Sequence, residues 1–426
     1  MASFGKRSRL NLSYGASDIA RMRNGAAAPK RTHVTGATVK RAISMKESNA
    51  LLSSERFAFA TKVFACVIAI IVLAFLSLGI MGAAGDLYPY SQRYDIYTPL
   101  QVGSVLFEQA HNALANLTHQ FPAHSNEWIR ENVPGYWAVP RRASVLGITF
   151  ICAELLAVSG MLYQNVFRNP IAGPGMLGVT SGVSLGLMIL VAIYHAAAPS
   201  MLYERYAMCY GFGAVILVVV LLAGKRLSGA GKPYDIVTML LIGSIFSQLI
   251  GFVVSYVTLF VMEEDDYLVF YTLSQMLTVS TSLISWVTLG IAALASFVPI
   301  WMNRHKLNAL AFDDQEARLL GVNSSRMRAL AIVCGAIMIL AATIHVGAVA
   351  LISLVVPFIS RSVFGCEFNK QLIGNLCISP ILLLICRDIT DLLPFIGEGL
   401  AIGSVVSVVA LPLFVVLMAR HVRGWE

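Results

Sequence analysis

Charged residues are scarce in this chain: Asp, Glu, Lys and Arg together fill 13% of 426 positions, about half the share expected of a soluble domain. That scarcity excludes an ordinary water-facing surface. Catalytic and nucleotide motifs are lacking too. The nearest approach to the phosphate-cradling GxxxxGK[ST] is Gly229-Ala230-Gly231-Lys232, which runs into Pro233 and lacks the first glycine. No HExxH zinc helix or GxSxG nucleophile elbow occurs. The seven cysteines, at 66, 152, 209, 334, 366, 377 and 386, show no CxxC or Cys/His spacing, so they read as small apolar side chains between helices. No cleavable signal peptide is expected, because the first apolar run begins after residue 57 and is long enough to remain as an anchor.

What is present is apolar length. Hydrophobic residues make up 57% of the chain, and runs of about 20 apolar residues match a hydrocarbon core of about 30 Å. Ten such runs fall near 63–83, 143–166, 176–197, 207–223, 236–261, 275–301, 328–344, 346–361, 371–386 and 400–419. The expected fold class is therefore an all-α polytopic membrane protein with about ten transmembrane helices.

Basic residues near a span are retained on the cytoplasmic side. With the N-terminus inside, the tails and alternate loops hold 25 of the 31 Lys and Arg, and the opposite side keeps the acidic run Glu263 to Asp266 and a long polar loop over 84–140. Both termini are thus expected in the cytoplasm. The formal charge of +8 follows from this topology and calls for membrane lipid, not nucleic acid, as its partner. Residues 1–57 carry eleven Lys or Arg against three acids. An organellar transit peptide is one reading of such a segment; a solvated, disordered cytoplasmic tail ahead of a permease domain over 58–426 is the one adopted. Glu154, His345, Asp388 and Asp391 are the ionisable residues in or at the ends of spans, and are functional candidates because charge in lipid is costly.

The stretch RNPIAGPGMLGVTSG, residues 168–182, packs four glycines and two prolines between two apolar runs. Asn169-Pro170 stops the preceding helix, since proline lacks an amide donor and restricts its predecessor. Pro174-Gly175 is a second turn signal. Gly178 and Gly182, four apart, form a small-xxx-small pattern that lets membrane helices approach closely. These features alone fit either a tight re-entry between packed helices or a transport gate.

The longer run YQNVFRNPIAGPGMLGVTSGVSLG, 163–186, resembles the signature of the permeases of iron-siderophore, haem and vitamin B12 importers, which are ATP-driven and binding-protein-dependent. The segments VPRRASVLGITF, DDQEARLLGVNSSRMR, GAVALISLVVPFISRSVFG and ALPLFVVLMAR resemble further family segments in the same order, from about residue 136 to the end. Two departures stand out: Phe358 replaces the usual His of the eighth span, and Glu367-Phe368-Asn369 replaces an Asp-His-Arg.

The resemblance implies a permease of the vitamin B12 importer type, in the inner membrane of a bacterium. It would pair with a second permease, identical or paralogous, above two ATP-binding subunits and below a periplasmic binding protein. This chain itself binds no cofactor on that reading, ATP residing on the partner. The cargo implied is an iron chelate, first of all a ferric siderophore, with haem or cobalamin as alternatives. An ion-coupled secondary transporter is the rival from another class, favoured by Glu154 alone.

By the same resemblance, Asp313 to Val322, within a cytoplasmic segment over 303–327, is the helix that couples to the ATPase through Asp313, Asp314, Glu316, Ala317, Leu320 and Gly321. An amphipathic interfacial helix is its plain alternative. Asn169, Pro170, Pro174, Gly175, Gly178 and Gly182 form the signature turn and its helix packing. Arg141 and Arg142 are docking candidates for the binding protein, or interfacial anchors. Ser244, Ser247 and Gln248 on the fifth span, with Gln275, Thr278 and Ser280 at the start of the sixth, are translocation-path candidates, or interhelical glue.

Overall fold

The computed structural model describes residues 36–80, 98–118, 138–227, 236–275, 282–311, 321–347, 349–392 and 402–423, with Trp128, Val133, Tyr136, Ala317 and Leu319. Everything regular in it is helical. The chain divides into two compact units, 1–60 and 61–426. In the first, residues 36–60 are helical; residues 1–35 lie outside the described residues.

The helices are α1 (Gly36–Ile80), α2 (Pro99–Thr118), α3 (Ala138–Phe167), α4 (Val179–Tyr194), α5 (Leu202–Leu227), α6 (Ile236–Phe260), α7 (Glu264–Gln275), α8 (Leu283–Met302), α9 (Arg304–Asn308), α10 (Ser324–Val346), α11 (Ala350–Phe364), α12 (Phe368–Leu392) and α13 (Ile402–Arg423). Among the described residues eight helices are long and apolar enough to cross a membrane; two shorter apolar ones, Leu351–Phe364 and Ile402–Val416, complete the ten expected.

Three boundaries differ from the sequence reading. The stretch 84–140, expected as a loop, contains α2, which Thr98 and Gln101 start as a reciprocal capping box: the Thr98 amide donates to Gln101 Oε1 at 2.8 Å, and Pro99 occupies the first helical position. The acidic run after the fifth span is the first turn of α7, where carboxylates favour a helix N-terminus. Consequently Gln275 ends α7, and the sixth span starts at Leu283 instead of 275.

α3 organises the core. Every residue from Cys152 to Gln164 is buried, and α10, α11 and α12 pack around it. Polar side chains stitch this group to backbone carbonyls. Ser159 Oγ donates to Gly335 at 2.7 Å, Tyr163 Oη to Ile332 at 3.0 Å, and Gln164 Nε2 to Leu354 at 3.0 Å. Such bonds contribute about 0.6 kcal/mol each in membrane bundles. A second group, α4, α5 and α6, packs by glycine contact. Gly347, with φ +81, separates α10 from α11.

Candidate functional site

The signature turn is built from backbone constraints. α3 ends at Phe167, and Arg168 takes a left-handed φ of +48. Asn169 Oδ1 then accepts from the Ile171 amide at 2.9 Å, and the Ala172 amide donates to the Asn169 carbonyl at 3.1 Å. This is an asparagine-nucleated turn that proline at 170 leaves undisturbed, since that amide is not needed. Pro174 is buried and begins a single 3-10 turn, Pro174–Leu177, with Gly175 half-buried behind it. Gly178, at φ +76, ends that turn and caps α4. A left-handed position of this kind suits glycine, which has no Cβ to clash.

The turn is wedged against α5 and α6. A Cβ on Gly178 would meet Ser247 Oγ at 3.1 Å and Ile216 at 3.3 Å. One on Gly182 would meet the Cα of Gly213 and the carbonyl of Phe212, both at 2.9 Å. Gly186 makes a third such approach, 2.7 Å from the Met208 carbonyl. The Gly186 repeat was readable in GVTSGVSLG, four residues beyond Gly182. Its partner glycines, Gly213 and Gly243, were not, because nothing in their own neighbourhoods marks them.

The turn is also tied to the loop between α8 and α10. Arg168 Nε donates to the Leu310 carbonyl at 3.3 Å, and the Phe368 amide that opens α12 donates to Asn308 Oδ1 at 3.2 Å. Leu307, Ala309 and Leu310 are buried. Of the coupling candidates, Asp313, Asp314, Glu316 and Leu320 lie outside the described residues. Ala317 is buried and Leu319 is 89% exposed. Gly321, exposed at φ +74, is followed by a Val322 amide that donates back to the Ala317 carbonyl at 2.9 Å. That is a Schellman closure, in which a left-handed residue lets the chain satisfy the last carbonyls of a helix. Two residues on, Asn323 Oδ1 accepts from the Arg326 amide at 3.1 Å and starts α10. One helix is capped off and the next capped on within three residues.

The remaining candidates scatter. Arg142 is 1% exposed and its Nη1 donates to the Leu78 carbonyl at 3.3 Å, so as a docking residue it is corrected: the side chain is inside the protein. Arg141 beside it is half-buried. On α6, Ser244 and Gln248 are exposed and Ser247 is half-buried; both serine hydroxyls bond to carbonyls of their own helix, Leu241 at 2.8 Å and Gly243 at 2.9 Å. Gln275 is separated from them at the end of α7, and its side chain, Thr278 and Ser280 lie outside the described residues. His345 Nδ1 donates to the Ala341 carbonyl at 2.8 Å, and Ser77 Oγ donates to Asp388 at 2.6 Å. The side chain of Asp391 lies outside the described residues. Phe358, where the family's histidine was expected, packs edge-on against Phe414 of α13. Among the described residues no three His, Cys, Asp or Glu side chains converge as metal ligands.

A profile of the FecCD transport family matches residues 112–420. This chain belongs to that family. It is similar to the Probable iron chelatin transport system permease protein of Helicobacter pylori, 26% identical over 277 residues covering 64% of this chain and 79% of that one. It is similar also to the Hemin transport system permease protein HmuU of Yersinia pestis, 28% identical over 280 residues, 65% of this chain and 80% of that one. The Vitamin B12 import system permease protein BtuC of Yersinia enterocolitica is 27% identical over 286 residues, 66% of this chain and 80% of its own. A solved metal-chelate type ABC transporter in an inward-facing conformation has the same fold, with a TM-score of 0.64 at 20% identity over 85% of this chain and 99% of its own. The chain is a multi-pass FecCD-type ABC importer permease, a transport subunit and not an enzyme, and its class implies ATPase and binding-protein partners. Membership overturns the rival expectation of an ion-coupled secondary transporter.

Proposed function

We propose that this permease carries an iron chelate, a ferric siderophore, from periplasm to cytoplasm, with both of its termini in the cytoplasm of a bacterial inner membrane. It pairs with a second permease subunit, identical or paralogous, on two ATP-binding subunits, and receives cargo from a periplasmic binding protein docked near Arg141. The observation that carries the ATP-driven part of this reading is the Arg168–Leu310 hydrogen bond together with the Gly321–Asn323 junction. Through them a push on the segment Asp313 to Val322 reaches the signature turn and α10 directly. Asp313, Asp314, Glu316, Ala317, Leu320 and Gly321 form the surface that receives the push. Ser244, Ser247 and Gln248 on α6, with Gln275, Thr278 and Ser280, are assigned to the translocation path.

For the cargo, the iron-chelate reading rests on the iron chelatin relative; haem and cobalamin remain the competing cargoes because HmuU and BtuC are equally similar. Proteoliposomes holding the permease, its ATPase and its binding protein, offered ⁵⁵Fe-siderophore, haem and cobalamin in parallel, test it. ATP-dependent accumulation of the siderophore is the expected result; accumulation of haem or cobalamin instead reassigns the cargo. The permease alone should hydrolyse no ATP.

A further inference from the structure

The ends of α3, α11 and α12 nearest the coupling segment are joined by polar side chains. Gln164 and Asn165 lie in the last turn of α3, Arg361 in the last turn of α11, and Gln371 in the first turn of α12. Arg361 Nη2 donates to Gln164 Oε1 and to Asn165 Oδ1, each at 3.4 Å. Asn165 Nδ2 donates in turn to Gln371 Oε1 at 3.4 Å, and Gln371 Nε2 to the Pro357 carbonyl at 3.4 Å. Gln164 Nε2 donates to the Leu354 carbonyl at 3.0 Å, and Ser360 Oγ to the Gln371 carbonyl at 2.8 Å.

The donors in this network all run one way. A guanidinium can only donate, so the two amides beside Arg361 turn their oxygens towards it. Their NH2 groups are thereby aimed away, one at α11 and one at Gln371. Both chains of bonds begin on α11 at Arg361 and return to α11, at Leu354 and Pro357, after passing through α3 or through α3 and α12. Hydrogen bonds that start at a charge polarise one another along such a chain. Gln164, Gln371 and Ser360 are buried, so a partner lost there leaves an unsatisfied polar group instead of a hydrated one.

The loop between α8 and α10 grips the same two helix ends separately. Arg168, just beyond Asn165, donates to the Leu310 carbonyl at 3.3 Å, and the amide of Phe368, just before Gln371, donates to Asn308 Oδ1 at 3.2 Å. The Asn165–Gln371 contact closes the ring between them. With the ring closed, a push delivered through Asn308 and Leu310 moves α3 and α12 in step. With it open, the same push displaces one helix against the other and is spent locally.

We propose that Arg361 is a positioning residue for energy coupling: by orienting Gln164, Asn165 and Gln371 it clamps the ends of α3, α11 and α12 into one body, which the coupling segment drives as a whole. The clamp rests on the ATP-driven import proposed above and holds for any of the three cargoes. Arg361 acts through the three amides.

Proteoliposomes holding the permease, its ATPase and its binding protein, with ATP hydrolysis and accumulation of ⁵⁵Fe-siderophore, haem and cobalamin measured on the same vesicles, give the number of molecules imported per ATP. In Arg361→Gln this ratio should fall about tenfold while the ATPase still co-purifies and hydrolyses ATP. Arg361→Lys, which keeps a charged donor without the planar fork, should regain about a third of the parent ratio. A merely structural role would lower the amount of assembled complex and leave its ratio untouched. An unchanged ratio in Arg361→Gln, or no gain in Arg361→Lys over it, overturns the clamp. If Arg361→Gln does not assemble, Asn165→Ala takes its place, cutting the link between α3 and α12; its ratio should fall about threefold, and an unchanged ratio overturns the clamp equally. A parent complex that imports none of the three cargoes with ATP refutes ATP-driven import and the clamp with it, whereas a coupled parent with equally coupled variants refutes the clamp alone.

Discussion

Two halves of the helical bundle hold together by different means. α3 with α10, α11 and α12 is stitched by side-chain hydrogen bonds onto backbone carbonyls, and its central helix is buried all round. α4, α5 and α6 meet through Gly178, Gly182, Gly186, Gly213 and Gly243, and α6 leaves Leu241, Ile245, Leu249 and Phe252 exposed along one side. In lipid there is little hydrophobic gain in pressing one apolar helix on another, so association rests on close packing and on polar bonds. The first half uses both devices. The second is marked by close glycine contacts, and it is the half into which the signature turn is wedged.

That contrast makes the glycine contacts the place to break it. Gly160→Ala should do most damage, because its Cβ would overlap the carbonyl of Ser353 on α11, a backbone group in the rigid half. The loss should exceed about 3 kcal/mol, seen as absence of a monodisperse species after mild-detergent extraction. Gly182→Leu in the other half should cost about 3 kcal/mol and abolish uptake. A variant at Gly182 that assembles and transports like the parent would remove the close-approach account of the second half.

The links between the halves and the cytoplasmic segment come next. Arg168→Ala removes the bond to the Leu310 carbonyl while leaving Gly178 and Gly182 in place. Uptake should fall about tenfold with the ATPase still co-purifying; unchanged uptake would show that the push travels by another route. Gly321→Trp meets open space at its Cβ but must hold φ at +74, which costs an L-residue about 1 kcal/mol. The permease should fold, and the complex should either fail to form or hydrolyse ATP without import. Charge reversal of Asp313, Asp314 and Glu316 to Lys should have the same outcome in an ATPase pull-down.

The smallest effect probes a single stitch. Tyr163→Phe deletes the bond to the Ile332 carbonyl and should cost about 0.6 kcal/mol in an SDS-unfolding titration. A much larger cost would mean that the polar stitches, more than shape, hold the first half.

How much of this was readable beforehand depends on the distance over which each feature is decided. The turn at 168–178 was legible because Asn169, Pro170, Pro174 and Gly178 act on their own backbone. The Thr98-Pro99-Leu100-Gln101 cap of α2 is equally local, but the polar stretch around it gives no apolar run to point to a helix. Gln275 was misplaced for a related reason: apolar residues run through Val269 to Leu277, and hydropathy does not register the separate helix that the acids at 264–266 initiate. Arg142 read as a surface arginine because its neighbours suggest the membrane interface. Its burial against Leu78 depends on α1, sixty residues away in sequence.

Solvent and local backbone chemistry were therefore determined by the sequence alone: apolar length dictates membrane spans, basic residues bias their direction, and proline and glycine place the turns. Partnership was decided only by the tertiary structure. Which carbonyl Arg168 reaches, which glycine faces Gly182, and which carbonyl Ser159 meets all depend on the rotation and register of helices about their axes. Lipid exerts almost no preference over that rotation, so an apolar sequence leaves it open until close packing and a few polar contacts choose it.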